Sequence, residues 1–330
     1  MAPDSDNDWR PTASFATLKL RAQLIARVRE FFAKRDVLEV DTPILSQAGA
    51  TDPHLHSLAA RSLAPGDDRL RGFLHTSPEF AMKRLLAAGS GSIYQICKVF
   101  RGGESGRRHN PEFTMIEWYR VGFDHHRLMD EVAALVTEAL TGFRALDEVE
   151  KLSYRDAFLR HARIDPHRAS AAEFRACAQT RGVTASGLAP DDLDGWRDLL
   201  LTHFVEPHLG VNRLTFLYDY PAAAAALARL RADNPAIAER FELYIDGVEL
   251  ANGFHELADA PEQYRRFEAD KNARAQLDLP PVPRDERLLA ALAHGLPDCS
   301  GVALGFDRLV MLAAGAASID EVIAFPSARA

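Results

Sequence analysis

The sequence predicts an α+β domain, a mainly antiparallel β-sheet flanked by helices. Three observations point there. Strand-like segments are joined by hairpins and long excursions, without regular strand–helix alternation. Asp246-Gly247, set between two apolar runs, is a strong hairpin turn signal. Neither a P-loop nor a Gly-x-Gly-x-x-Gly pattern occurs, so a nucleotide site here is not of the P-loop or Rossmann kind.

Residues 1–15 read as a flexible polar arm, and 16–330 as one catalytic-type domain. Leu24, Ile25, Val28, Phe31 and Phe32 fall on one helical face, which predicts an amphipathic helix over roughly 17–36. Val37–Pro43 reads as a short strand stopped by proline. Thr76-Ser77-Pro78-Glu79 is a helix start, with Ser77 as cap and Pro78 in the first turn; the helix runs to Gly89. Ile93–Val99 and Phe113–Tyr119 are strands. Helix signals dominate from about 124 to 208, read as a helical insertion. Leu214–Tyr218, Phe241–Ile245 and Val248–Gly253 return to strand character. The alanine run after Pro221 reads as helix, as do Pro261–Ala275 and Glu286–His294. The C-terminal Gly301–Met311 gives an apolar strand, a glycine break and a helix start.

Bulk properties narrow the function. The formal net charge of -8 argues against a chain whose main task is nonspecific binding of nucleic acid. No apolar run is long enough to span a membrane. The acidic N-terminus is unlike a secretory signal. Cys97, Cys177 and Cys299 make neither a disulfide framework nor a zinc motif. The cytoplasm is the expected compartment. His54 and His56 lack a third ligand and read as loop residues; His125 and His126 read as a helix start.

The most informative run is Phe100-Arg101-Gly102-Gly103-Glu104-Ser105-Gly106-Arg107-Arg108-His109-Asn110-Pro111-Glu112-Phe113, a glycine-rich basic loop between two strands. Arg101 can fork two donors onto phosphate oxygens. Arg308 follows a second glycine break, at the start of a helix. Two arginines on separate elements suit a bent polyanionic nucleotide.

In this order, the segments resemble the catalytic domain of class II aminoacyl-tRNA synthetases. The helix and strand through Pro43 look like motif 1, Phe100–Tyr119 like motif 2 and Gly301–Met311 like motif 3. His109-Asn110-Pro111-Glu112-Phe113-Thr114-Met115 and Asn252-Gly253-Phe254-His255-Glu256-Leu257 are similar to lysyl-tRNA synthetase signatures. Only about 15 residues precede motif 1, too few for an anticodon-binding barrel. The chain therefore resembles the shortened lysyl-tRNA synthetase-like branch, the elongation factor P–(R)-β-lysine ligases. Thr76–Glu79, Glu249–Leu257 and Pro297–Gly305 look like that branch's own variants.

The resemblance implies ATP-dependent formation of a β-lysyl adenylate, then transfer to a lysine side chain of elongation factor P. It implies that Arg101 and Arg308 act on the phosphates. The ATP site would comprise Arg101, Gly102, Gly103, Glu104, His109, Asn110, Phe113, Glu249, Leu250, Gly305 and Arg308, with Phe113 stacking on adenine. Glu242 and Glu249 would hold Mg²⁺. The amino-acid pocket would be Ser77, Pro78, Glu79, Tyr119, Glu256 and Ala303. In it, Glu256 and Tyr119 would meet the ε-ammonium and Glu79 the other amine. Ala303, where lysyl-tRNA synthetases usually carry glycine, would favour an amine moved to the β-carbon. Gly103 departs from the motif 2 pattern, which has glutamate there, so Glu104 is a substitute candidate. The resemblance further implies a homodimer and no stable tRNA binding. Two alternatives stay open: a free-standing tRNA-charging enzyme, and an inactive paralogue acting as a regulator.

Overall fold

The structure, a computed structural model, describes residues 9–330 apart from 63, 65, 68 and 186. The first eight residues of the expected arm thus lie outside the described residues. From Thr12 the chain is tied down, its N–H donating to Ala324 O at 2.9 Å and its hydroxyl to Ile323 O at 3.0 Å.

The strands in chain order are β1 (Leu38–Glu39), β2 (Leu45–Ser46), β3 (Leu58–Arg61), β4 (Leu70–Leu74), β5 (Ile93–Phe100), β6 (Glu112–Val121), β7 (Val149–Ser153), β8 (Leu214–Pro221), β9 (Ile237–Ile245), β10 (Val248–His255) and β11 (Cys299–Gly305). The α-helices are α1 (Phe15–Ala33), α2 (Glu79–Ala87), α3 (His125–Leu140), α4 (Tyr154–Ala157), α5 (Ala171–Thr180), α6 (Leu193–Leu200), α7 (Ala260–Gln276), α8 (Glu286–His294) and α9 (Phe306–Ala314). An eight-stranded sheet runs in the order β1-β5-β6-β11-β10-β9-β8-β7. It is antiparallel from β5 to β8, with a parallel pair at each edge. A three-stranded sheet, β2-β4-β3, stands apart. The expected mainly antiparallel α+β architecture is the one observed.

One face of the large sheet is closed by α1, α3 and α9. Leu24, Val28, Phe31 and Phe32 of α1 meet Leu128, Val132 and Val136 of α3 and Phe306, Leu309 and Val310 of α9 over Ile116, Phe241, Leu243 and Leu304. Burying each such side chain contributes roughly 1.5–3 kcal/mol. The other face is left as a cleft. Its walls are α2, α7 and α8 on one side and the 154–209 segment on the other. Asp246 and Gly247 both take positive φ, 51° and 67°, which fits a type I′ turn joining β9 to β10.

Two segments differ from expectation. The 124–208 stretch is not uniformly helical. β7 interrupts it, an edge strand pairing parallel to β8 in which only Leu152 is buried. Such a polar edge carries no clear strand pattern. Within the same stretch α3 belongs to the main core, whereas α4 to α6 pack a second core against β8 and β9. The alanine run forms one 3-10 turn, Ala222–Ala224, and no further helix. Ala226 turns to φ 47°, and Arg229 then pairs along β9, its carbonyl accepting from Glu239 N–H at 3.0 Å. Tertiary pairing overrides alanine's helix propensity here. Among the described residues, no helix is long and apolar enough to cross a membrane.

Candidate active site

A cleft of about 1720 Å³ lies on the open face of the sheet, lined by Ser77, Pro78, Glu79, Arg101, Glu117, Tyr119, Glu242, Glu249, Glu256 and Ala303 among others. Strand alternation puts Glu117 and Tyr119 on this face of β6, and Asn252, Phe254 and Glu256 along β10. A bulge between Glu249 and Ala251 lets Glu249 join them.

One end is an acid pocket. Helix α2 opens at Glu79, one residue later than expected, with Pro78 in the cap position; the Ser77 hydroxyl accepts from Glu79 N–H at 2.9 Å. Glu79 and Glu256 lie together as anticipated, but Lys83 stands between them. Its Nζ is 2.6 Å from Glu79 Oε1 and 2.6 Å from Glu256 Oε2, and its side chain is 2% exposed. Glu117 is the third carboxylate. It accepts from the Ser77 hydroxyl at 2.7 Å and from the Tyr119 hydroxyl at 2.7 Å. Tyr119 therefore serves Glu117 in this state, rather than standing free for a substrate amine. Burial, and then the charge of Glu79, pushes the Glu117 carboxyl up to about 8. Burial also lifts Glu256, to about 7, against the pull of Lys83. Gly301 is a packing requirement, because a Cβ there would fall 2.3 Å from the Tyr119 ring and 2.4 Å from Glu256 Oε1. Ala303 lies opposite Glu117 on β6 and Asn252 on β10.

The other end carries the arginines. Gly102 N–H donates to His56 O at 2.7 Å, which fixes the motif loop against the 51–58 segment. Gly103 adopts φ 79°, a conformation that a glutamate would resist, so glycine fits this backbone where the motif has an acid. Glu104 turns toward Arg101, 3.7 Å from Nη1. The Arg101 guanidinium also lies 5.2 Å from the Phe113 ring centroid. Arg308 donates from Nη1 to the Glu249 carbonyl and from Nη2 to His109 Nε2 at 2.8 Å. Arginine only donates, so His109 accepts there and carries its proton on Nδ1. Burial, then Arg308, lowers the His109 pKa. Arg101 and Glu249 line the cleft, and Arg308, outside that lining, comes within 3.9 Å of the Glu249 carboxylate.

Asn110 and Leu250 sit differently from expectation. The Asn110 amide is spent inside the protein, donating to Glu112 O and accepting from Ser327 N–H at 3.0 Å and the Ser327 hydroxyl at 2.6 Å. It ties the loop to the C-terminal segment. The Leu250 side chain is in the core behind the sheet, which leaves only its backbone near the site. Gly305 has ordinary backbone angles, and a Cβ there would find only Arg308 at 3.6 Å and Leu250 O at 3.8 Å. The fold does not demand glycine at 305. What glycine leaves is a shallow space beside Arg308.

Between the ends, Glu242 is held by Tyr220 and Tyr244 hydroxyls, each at 2.6 Å, and by Arg240. Glu206 is raised to about 7 by burial and then by Glu242. Glu249 is likewise raised, by desolvation and then by Glu242. The region holds more negative charge than its own cations offset. Glu242 Oε2 accepts both tyrosine hydroxyls and Oε1 accepts once, from Arg240, so Oε1 keeps a lone pair with which Glu242, beside Glu249, fits a hard, oxygen-seeking divalent ion.

Sequence reasoning missed Lys83, Glu117 and Glu206. Lys83 was visible only as the i+4 partner of Glu79. Glu117 was signalled more clearly, as a lone acid inside the apolar run Met115–Tyr119. Glu206 gave no signal.

Comparison with known proteins shows the family of the chain. The family of tRNA synthetases class II (D, K and N) matches residues 7–329. The chain is 51% identical over 323 residues to a Pectobacterium carotovorum protein named elongation factor P–(R)-beta-lysine ligase, covering 98% of each. Proteins of the same name from Yersinia enterocolitica and Salmonella typhi are 52% and 51% identical, again over 98% of each chain.

Proposed function

We propose that this chain, which belongs to the family of tRNA synthetases class II (D, K and N), activates (R)-β-lysine with ATP and passes it to a lysine side chain of elongation factor P. The observation that carries this reading is the charge deficit of the acid pocket. Glu79 and Glu256 flank one ammonium, that of Lys83, and Glu117 beside them is met by the Ser77 and Tyr119 hydroxyls. Two more positive charges would neutralise them, and a diamine brings two. Buried carboxylates without counter-charge are costly, so the pocket gains most from a substrate with ammonium groups at both ends.

In the first step a carboxylate oxygen of β-lysine attacks the α-phosphorus of ATP and pyrophosphate leaves. Both reactants are anionic, so catalysis is mainly charge cancellation and alignment. Arg101 reaches from the cleft wall toward the point where the two anions meet. Arg308 holds the far phosphates. A neutral His109 keeps Arg308 in place without competing as an anion. The carboxylates nearest these arginines are distant, Glu104 at 3.7 Å and Glu249 at 3.9 Å, so phosphate oxygens can take up the guanidinium charge while Arg308 keeps its bonds to the Glu249 carbonyl and His109. Glu249 and Glu242 would hold Mg²⁺, which supplies positive charge to the departing pyrophosphate. In the second step the neutral amine of the acceptor lysine attacks the acyl carbon, the amide forms and AMP leaves.

The Phe113 ring and the space at Gly305 are assigned to the adenosine, and Asn110 acts by fixing the loop. We assign the motif 1 helix and strand, residues 17–43, to a two-fold dimer contact, where Leu38 and, just beyond, Ile44 and Leu45 leave apolar side chains exposed.

The test is the intact mass of elongation factor P after incubation with this protein, ATP and (R)-β-lysine. The expected result is the gain of one β-lysyl group, absent with Arg101→Ala. Pyrophosphate exchange without that gain would refute the acceptor, and charging of tRNA instead would favour the second enzyme class. No exchange at all would refute the enzyme.

A further inference from the structure

Behind the sheet, away from the cleft, a second cluster of ligand-type groups remains unexplained. His125, the first residue of α3, is 4% exposed, and neither of its ring nitrogens finds a hydrogen-bond partner. His255, at the end of β10, is 3% exposed. Its neighbours Phe254 and Glu256 line the cleft, so alternation turns His255 to the opposite face. One donor atom each from His125, Glu239 and His255 lie within 4.8 Å of one another.

The tautomer of His255 makes this arrangement informative. Nε2 is 2.9 Å from Asp298 Oδ1, and Nδ1 is 2.9 Å from Glu239 Oε2. A neutral imidazole has a single N–H. Directed at Asp298, that proton leaves the bare Nδ1 facing a carboxylate oxygen, lone pair to lone pair. The Nδ1 contact with Glu239 indeed lacks hydrogen-bond geometry. A proton on Nδ1 would not satisfy it in this geometry, whereas a cation bound by Nδ1 and Glu239 does.

The surroundings suit such a cation. Asp298 on Nε2 is the carboxylate that commonly orients a metal-binding imidazole. Arg229 bonds both Glu239 and Asp298, at 2.5 and 3.1 Å, and Arg231 pairs with Asp219. Three carboxylates thus face two guanidiniums, leaving negative charge over. Asp219 Oδ1, paired with Arg231, lies 3.9 Å from His125 Nε2 and adds negative charge beside the cluster. Tetrahedral zinc with bonds of ~2.0–2.1 Å needs donor atoms about 3.3 Å apart, so small side-chain shifts suffice.

We propose that His125, Glu239 and His255 bind one divalent ion of zinc's class, joining the start of α3 to β9 and β10. Two imidazoles with a carboxylate suit zinc, cobalt or nickel, and not magnesium, which takes oxygen ligands. The ion stands one residue from Glu256, so it also steadies the acid pocket from behind.

The test uses the full chain, stripped with a chelator, dialysed and titrated with Co²⁺ without ATP. The expected result is one equivalent bound, with the visible absorption of tetrahedral cobalt, displaced by Zn²⁺ and unchanged by Glu249→Gln in the cleft. His125→Ala should abolish these bands. Glu239→Gln, which keeps the side-chain volume, should weaken binding tenfold or more. The proposal is overturned if the parent chain gives no tetrahedral bands. It is also overturned if Glu239→Gln, or a folded His125→Ala, binds as the parent does.

Discussion

At the acid end of the cleft, Glu79 and Glu256 share one buried lysine and Glu117 is held by hydroxyls; at the arginine end, two guanidiniums face protein carboxylates only at 3.7 and 3.9 Å. The first end is shut away from water, and its carboxyls rise above the ordinary range. The second is wetter and only loosely satisfied. The difference suits the two ligands. A diamine of fixed length is selected by a rigid, desolvated set of acids whose charge is released only when the ammonium groups arrive. A triphosphate is caught by arginines that the protein holds near their working positions with replaceable partners.

The largest expected effect is at the loose end. Arg101→Ala should lower ATP–pyrophosphate exchange about 10²–10³-fold or more, because it removes a donor aimed at developing charge. An exchange rate within tenfold of the parent would remove Arg101 from the reaction. Next comes the rigid end. Glu117→Gln keeps the volume and one accepting oxygen but drops a charge, and should raise the KM for β-lysine by about 10–100-fold, as loss of a buried charge pair implies. It should change kcat less. Equal loss in kcat alone would mean that Glu117 orients the reaction and does not recognise the amine.

A smaller effect sharpens the nucleotide side. Gly305→Ala meets nothing closer than 3.6 Å in the protein. The melting temperature should therefore stay within about 2 °C, while the KM for ATP rises roughly tenfold. An unchanged KM would show that the space beside Arg308 is not used by adenosine. The smallest is Ala303→Gly, which should shift the ratio of α-lysine to β-lysine activation toward α-lysine by a factor corresponding to roughly 1–3 kcal/mol of relieved crowding. An unaltered ratio would leave Ala303 as packing only.

Much of this was legible in the chain. Hairpin and strand patterns placed β5, β6, β9, β10 and β11, and the glycine-rich run marked the arginine loop. Period-2 alternation also put Glu242 and Glu249 on one hairpin. Legibility failed where function rests on partners distant in sequence. Tyr119 looked free until Glu117 was seen to hold its hydroxyl. Asn110 looked like a ligand group until Ser327, far along the chain, proved to occupy it. Lys83 looked like a helix-surface residue, and only packing under β10 shows it fully enclosed. The alanine run misled because local propensity says nothing about pairing with β9.

The most direct test concerns the surplus charge of the acid pocket. In the free protein Glu117 holds its proton up to about 8 and Glu256 up to about 7. At pH 7 a diammonium ligand should drive off about 1.4 protons, ~0.9 from Glu117 and ~0.5 from Glu256, as these carboxyls ionise. Affinity should therefore rise as pH rises from 6 toward 8. The ligand-free protein should lose stability over the same range, because its folded carboxyls bind more protons than the unfolded chain does. Calorimetric titration with (R)-β-lysine at pH 7, in two buffers of different ionisation enthalpy, counts the protons. Release between one and two protons, cut to about half a proton in Glu117→Gln, is the predicted result. Binding with no proton release would contradict the account.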